Sequence, residues 1–530
     1  MFHASASNIK YIMSDNIFYR PPWTCGKYNA DKKVAIVFNL LSRMNYFYEE
    51  ESAEVIDRIL KAGRNGRVLV NEVFQKCNIA PKSIIKFFTE LCAMGILSDK
   101  EVNEETIANY RNECKNMETP PTIGARAEKL SNDGVLSAYQ AYADAVRGSV
   151  MLTDAMFELT YRCQAQCIHC YNPGATRNDS ERNGRADIEE LSLEDYYRII
   201  DDLCANGLIS ATITGGDPFM HPYVWQIIEY LYKHEISVSV YTNGLGLIGK
   251  EEKLAAYYPY LVQCSLYSGD PTVHDKITRT KGSWQRTVRV MDRLHELGVP
   301  IDIACPLMQT NLKSYFSVKP YIMKYGSSKA FDLMLTDAID GDKCVSRHLR
   351  LTPEQLSVVL LDGDVLQHLI IDKEKDNIQV DRSFLNASPC GAASSSFCIN
   401  PNGDVVPCCA FHKKLGNIKQ HSIKQIVEDN VFLSNWRKTT EKDFGECYSH
   451  EYCYYCFFCP GNNYNDTGEH LNGGENNCYL AKMRYNTMMR LQAGEDILHG
   501  MTIEEYISTL DVTEDILQHE YETKGKMETL

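Results

Sequence analysis

The sequence predicts an α/β protein built on a partial (β/α)6 TIM-type barrel, with a winged-helix-like domain before it and a cysteine-rich domain after it. Three observations carry this. Six short apolar runs alternate with helical patterns between Phe157 and Asp337, and alternation of that kind builds a parallel sheet. A strand pair followed by helical periodicity occupies the stretch from about Phe18 to Asp99. Nine of the 20 cysteines crowd between Cys390 and Cys478, in a segment rich in Gly, Asn, Pro and Tyr and poor in regular periodicity. Such a segment lacks the apolar content of a normal core, and bound metal would supply what packing cannot.

With 530 residues, 44% of them hydrophobic, the chain is long enough for about two to four domains. We place a winged-helix-like domain at 1–110, a linker at 111–150, the barrel at 151–345, a connecting segment at 346–385, the cysteine-rich domain at 386–485 and an acidic helical tail at 486–530. The formal charge of −15 works against unselective attraction to nucleic acid or to an anionic membrane. No stretch approaches about 20 apolar residues, and the opening MFHASASNIKYIMSDN lacks a basic segment followed by an apolar one. A cytoplasmic location is therefore expected. In that reducing compartment so many cysteines point to metal binding or catalysis rather than to disulfides.

In the first domain, Val34–Asn39 and Met44–Glu49 read as strands, and SAEVIDRILKAG, VLVNEVFQKC and PKSIIKFFTELCAMGIL as helices. Residues 20–100 carry 13 basic against 9 acidic side chains. That excess is weak, and the mostly apolar third helix is no arginine-rich reader of DNA. Polar text from Ser98 to Asp133, broken at Pro120-Pro121, forms the linker. The barrel strands are MFELTY, ATITG, VSVYTN, VQCSLY, IDIACP and FDLML. Between them lie SLEDYYRIIDDLCANG, VWQIIEYLYKHE, WQRTVRVMDRLHELG and an extended segment around Tyr315 to Tyr325. Barrel enzymes work at the C-terminal ends of their strands. The tail from Met501 has eight acidic and two basic residues at helical spacing and reads as a surface helix without chemistry.

Directly after the first barrel strand comes YRCQAQCIHCY, which spaces Cys163, Cys167 and Cys170 as Cys-x3-Cys-x2-Cys. Three thiolates on one loop can ligate three irons of a [4Fe–4S] cube and leave the fourth iron open. An open iron can chelate the amino and carboxylate groups of S-adenosylmethionine, and one electron passed to the sulfonium then gives a 5′-deoxyadenosyl radical. The alternative is a three-cysteine zinc loop. The next strands end in Gly215-Gly216-Asp217-Pro218, Thr242-Asn243-Gly244 and Ser265-Leu266-Tyr267-Ser268. Glycines there permit close backbone approach to a ligand.

These residues resemble the radical S-adenosylmethionine (radical SAM) superfamily. CQAQCIHCY matches its cluster motif, and TGGDP resembles the element that holds the amino group of the methionine portion, with Asp217 in place of the usual Glu. Because Asp is shorter, contact through backbone carbonyls is expected there. The resemblance implies that His169, Gly215, Gly216, Asp217, Pro218, Asn243, Ser265 and Tyr267 line the cofactor pocket.

The downstream cysteines, in CGAASSSFCINPNGDVVPCC and CYSHEYCYYCFFCPG with Cys478 beyond, resemble the SPASM domain, which implies two auxiliary [4Fe–4S] clusters. Cys390, Cys398, Cys408 and Cys459 would then bind the inner cluster. Cys447, Cys456 and Cys478 would bind the outer one, together with Cys453 or with His450, which stands where the domain normally has a cysteine. Imidazole ligation would raise the cluster potential. Structural zinc at the two Cys-x2-Cys steps is the alternative. Sulfatase-maturing relatives place an acidic residue, their proposed base, directly after the equivalent of Cys408. Here that place holds Cys409, a catalytic candidate that would donate a hydrogen atom or bind a substrate thiol, or else a buried spectator.

Fused to such an enzyme, the N-terminal unit resembles the PqqD-like recognition element of ribosomal-peptide maturases. This implies a leader peptide added as a strand at Met44–Glu49, with Ile84, Ile85 and Phe88 as groove candidates. The whole implies a maturase that binds a precursor peptide through its leader, receives electrons from a partner such as flavodoxin or ferredoxin, and closes a thioether or carbon–carbon crosslink. Other readings are a peptide epimerase, an enzyme acting on a folded protein or metabolite, and a zinc-stabilised winged-helix regulator.

Overall fold

The computed structural model describes residues 17–77, 81–116, 137–148, 152–172, 189–328, 331–339, 344–365, 388–456 and 459–512. Its N-terminal unit runs β1 (Ile17–Tyr19), β2 (Thr24–Asn29), β3 (Val34–Asn39), β4 (Met44–Glu49), α1 (Glu50–Lys61), β5 (Arg67–Leu69), α2 (Val70–Lys76) and α3 (Pro81–Ala93). α4 (Glu104–Asn116) and α5 (Ala138–Ala145) follow. β2, β3 and β4 form an antiparallel sheet, and β1 pairs with β5. Both expected strands are present; β2 is an addition.

Strand alternation explains why β3 is buried on both faces. Ala35 and Val37 pack with Ile56 and Phe88 of the unit's own helices. Val34, Ile36 and Phe38 pack with Trp23, Tyr142, Ile209 and Tyr258. Ile209 and Tyr258 immediately precede barrel strands, so the unit is seated on the N-terminal end of the barrel. Buried Arg20 fastens it there by pairing with Glu235 and donating to the carbonyls of Leu60 (2.6 Å) and Thr24 (2.8 Å). The expected groove changes accordingly: Ile84 and Phe88 are interior residues, because the apolar stripe of α3 is used to close the unit's core.

The barrel follows as β6 (Asp154–Glu158), α6 (Leu193–Ala205), β7 (Ser210–Thr214), α7 (Val224–Lys233), β8 (Ser237–Thr242), α8 (Glu251–Ala255), β9 (Leu261–Ser265), α9 (Pro271–Thr278), α10 (Ser283–Glu296), β10 (Ile301–Pro306), α11 (Lys319–Tyr325) and β11 (Phe331–Asp332). All six expected strands occur, each parallel to its neighbour. Residues 312–325 are helical rather than extended, a 3₁₀ turn leading into α11. α6 shows how sequence sets an element. Ser192 and Asp195 form a capping box, and Tyr196, Ile199, Ile200 and Leu203 present one buried stripe. Ala155, Phe157, Ala211 and Ile213 point toward such helices, while Met156 and Thr214 face the barrel cavity.

Next come α12 (Cys344–Leu349), α13 (Pro353–Val359), β12 (Ser396–Ile399), β13 (Asp404–Val406), β14 (Gly416–Asn417), α14 (Ile423–Glu428), α15 (Val431–Trp436), α16 (Pro460–Thr467), α17 (Glu475–Gln492) and α18 (Ile503–Thr509). Here the cysteine-rich domain is joined to the barrel by its strands. β12 adds to β6 in parallel, with Cys398 opposite Met156, and β13 and β14 continue the sheet antiparallel. One nine-stranded sheet therefore runs from β11 to β14. The tail carries the expected helix on the surface, docked by one face. α17 crosses the 485/486 boundary, Ile507 and Leu510 join the main core, and the Gln355 side chain donates to the Asp511 carbonyl (2.8 Å). Residues 513–530 of the tail lie outside the described residues. Among the described residues no helix is long and apolar enough to cross a membrane.

Candidate active site

At the C-terminal ends of the strands lies a cavity of about 760 Å³ whose lining includes Cys163, Cys167 and Cys170, together with Tyr171, Asn243, Tyr267 and Cys409. The loop carrying the first three cysteines is pinned from two sides. Gly216 N–H donates to the Thr160 carbonyl (2.6 Å) and Asp217 N–H to that of Arg162 (3.0 Å), while Gln166 and Ile168 donate to the last turn of α9 (2.9 and 3.0 Å). The two glycines permit the first of these contacts. A Cβ on Gly215 would stand 2.4 Å from the Thr160 oxygen, one on Gly216 2.4 Å from that of Arg162, and Gly215 has φ +135°. The close approach that these glycines allow is thus to the cysteine loop itself.

Asn243 Nδ2 donates to Cys163 Sγ at 3.1 Å, and the Tyr267 hydroxyl lies 3.7 Å from Cys167 Sγ. Burial first, and then the neighbouring thiols, raise both: Cys163 stands well above the ordinary thiol range and Cys167 is pushed up to about 12. Three thiolates gathered on one loop would need cationic metal to offset their charge. Among the described residues no three Cys, His, Asp or Glu side chains close on a single ion. A cube of iron and sulfide holds its thiolates farther apart, one per corner. Two buried atoms on the cavity lining also lack a partner, His169 Nδ1 and Asn172 Oδ1, as expected of groups that meet a ligand. Burial depresses His169 to about 4, so its ring is neutral at physiological pH. These features fit a cluster with S-adenosylmethionine, and when bound that pair supplies a 5′-deoxyadenosyl radical.

Gly215, Gly216, Asn243, Ser265, Tyr267 and His169 line this cavity; Asp217 and Pro218 are absent from its lining. The reason is visible in the loop. The Asp217 carboxylate accepts from Thr242 Oγ1 (2.8 Å) and from the N–H groups of Gly246 (3.1 Å) and Phe219 (3.4 Å), so it holds the loop together and leaves the cavity face to backbone.

The downstream cysteines divide into two groups. Cys408 shares an electrostatic neighbourhood with Cys390 and Cys459. Cys447 and Cys478 converge on Gly473, where a Cβ would stand 3.4 and 2.7 Å from their sulfurs, and Cys447 and Cys456 both pack against Phe444. His450 is exposed and stacks on Tyr452; the Cys453 side chain lies outside the described residues. Cys398, fully buried on β12, has Glu158, Cys409 and Cys408 as its ionisable neighbours.

One residue escaped the sequence reading. Glu158 ends β6, is 1% exposed, and accepts a hydrogen bond from the Tyr171 hydroxyl at 2.9 Å, while its Oε2 has no partner. Burial raises it to about 7. A glutamate closing an apolar strand that must point inward was the available signal.

A parallel barrel with a three-cysteine loop at its mouth, extended by a cysteine-rich sheet, defines an enzyme that carries out iron–sulfur radical chemistry. Residues 157–310 match the radical SAM superfamily and residues 390–460 the SPASM iron–sulfur cluster-binding domain. The chain thus carries a radical SAM domain and a SPASM domain. Its relatives include the antilisterial bacteriocin subtilosin biosynthesis protein AlbA of Bacillus subtilis, 29% identical over 58% of this chain and 66% of the relative. Mycofactocin maturase MftC of Mycolicibacterium smegmatis is 27% identical over 53% and 69%. The chain thus spans about two thirds of these relatives. Streptococcus suis SuiB bound to S-adenosylmethionine shares the fold, with TM-score 0.51 and 15% identity over 88% of this chain and all of that one.

Proposed function

We propose that this chain is a maturase that modifies a ribosomally synthesised precursor peptide by closing a thioether or carbon–carbon crosslink after hydrogen abstraction. The observation that carries this reading is that Cys409, next to Cys408 of the SPASM domain, lines the same cavity as Cys163, Cys167 and Cys170. A peptide carbon held there lies between a radical source and an electron acceptor. Relatives named for bacteriocin biosynthesis and mycofactocin maturation support a peptide substrate.

Two auxiliary clusters, on Cys390, Cys398, Cys408 and Cys459 and on Cys447, Cys456 and Cys478 with Cys453 or His450, would carry the second electron away. A flavodoxin or ferredoxin would supply the first. The N-terminal unit would take the leader at β4, which pairs only with β3 among the described residues. Because that unit sits at the opposite end of the barrel from the cavity, leader and modified core must be separated by enough extended chain to pass the strands, each roughly 20 Å long.

Co-expression with a short reading frame beside the gene, followed by mass measurement of the peptide, tests this. The expected result is loss of two hydrogens per site. Unchanged mass with inverted residues would instead indicate epimerisation.

A further inference from the structure

The chain as a whole carries a formal charge of −15, yet from Lys276 to Met291 it has five basic residues and no acidic one. This stretch is the end of α9, the turn after it and the start of α10. Its inner face holds the cysteine loop. Gln166 and Ile168, on either side of Cys167, donate to the carbonyls of Thr278 (2.9 Å) and Ile277 (3.0 Å). Ile277 packs in one cluster with Ile168, and His274 Nδ1 accepts from the N–H of Tyr267, whose hydroxyl lies 3.7 Å from Cys167 Sγ. His274, Ile277 and Thr278 are all buried.

The outer face is the basic one. Lys276, Lys281, Arg286 and Arg289 are exposed, and among the described residues none of them has an acidic partner. The adjoining Asp275 is engaged inside the turn, where it accepts from Ser283 Oγ and from the Trp284 N–H, both at 2.9 Å. Farther along α10 the charges are paired, Arg293 with Glu252 and Glu296, and Asp292 with Lys324. Arg286 is set in place by donating to the carbonyls of Gly282 (3.0 Å) and Lys281 (3.1 Å). Arg279 closes α9 in the left-handed conformation, at φ 50°, and is a charged neighbour of Cys167.

We propose that this patch docks an acidic one-electron carrier protein, and that electrons enter the cluster on the cysteine loop across α9. This rests on the supply of the first electron in the reading above. One electron leaves the carrier and enters the cluster; no proton moves and no bond changes at this step. A helix with its side chains is about 10–12 Å across, so a carrier on the outer face stands about that far from the loop on the inner one. The net negative charge of the chain repels an acidic carrier, and a local basic patch attracts and orients it. No residue from Lys276 to Met291 lines the cavity, so carrier and peptide occupy separate surfaces.

The test drives the cluster-loaded enzyme either with a flavodoxin of net negative charge, kept reduced by NADPH and its reductase, or with dithionite. K276E/K281E/R289E should slow flavodoxin-driven release of 5′-deoxyadenosine by at least about tenfold, while the dithionite-driven rate stays within about twofold of wild type. K424E/K438E/K442E makes the same charge change on exposed lysines of the cysteine-rich domain and should keep both rates. In wild type the flavodoxin-driven rate should fall as salt rises. Independently of turnover, carbodiimide coupling, which joins carboxylates to amines in contact, should link flavodoxin to Lys276 or Lys281. A flavodoxin-driven rate unchanged by K276E/K281E/R289E overturns the docking site. So does equal loss with both reductants, equal loss in both triple variants, or coupling confined to other lysines. Coupling of the precursor peptide to these lysines in place of flavodoxin overturns it too. Wild type that turns over with dithionite yet takes no electron from flavodoxin overturns the carrier reading, and the docking site with it.

Discussion

At the scale of single residues, burial of Glu158 has a consequence for stability. Its native pKa stands near 7 against an ordinary 4.5, because burial penalises the charged form more than Tyr171 and Tyr161 relieve it. The sign follows. Below about pH 4.5 both native and unfolded states hold the proton and no penalty exists. Between 4.5 and 7 the unfolded chain has released it while the native state retains it, so stability falls as pH rises, by up to about 3 kcal/mol, and then levels off. E158Q has no such dependence. Thermal melts between pH 5 and 8 should show the variant gaining on wild type up to about pH 7; parallel curves would contradict this assignment. The triad was legible in the sequence because its spacing is local and its chemistry specific. Glu158 was not, since MFELTY reads as a strand and only the fold says which way its last side chain points. Asp217 was half legible: its loop was recognised, but its hydrogen bonds to Thr242 and Gly246 could not be foreseen from a motif.

At the scale of elements, the six barrel strands were readable because each is a short apolar run between helical stretches whose periodicity is clear. β12 was hidden. It is four residues long, SFCI, in a segment dominated by cysteine and turn residues, and its partner β6 lies some 240 positions earlier; no local pattern specifies such a pairing. Its effect is large, because it makes the barrel and the SPASM domain one sheet. Phe397, 1% exposed, points from β12 into the core shared with Phe157 and the helices around it. F397A should therefore cost about 3–5 kcal/mol, as truncation of a buried aromatic does. A melting temperature unchanged from wild type would show that the two domains do not share a core. The docking of the tail was hidden for a similar reason. Its acidic face dominates the sequence, whereas Ile507 and Leu510 decide where α18 packs.

At the scale of the whole molecule, the sheet brings the three-cysteine loop and Cys409 to one cavity, and sets the N-terminal unit at the far end of the barrel. Arg20, Glu235 and the aromatic layer of Trp23, Phe38 and Tyr258 fix that unit in place. A substrate recognised there is therefore held at a set distance from the chemistry. The organisation depends on three separate iron–sulfur cubes, each held by cysteine thiolates. Anaerobic reconstitution with iron and sulfide counting tests this directly. Three [4Fe–4S] clusters require about 12 iron and about 12 sulfide per chain. The C163A/C167A/C170A variant should retain about 8 of each and lose all cleavage of S-adenosylmethionine. A colourless, zinc-loaded protein, or a triad variant with undiminished iron, would contradict the account.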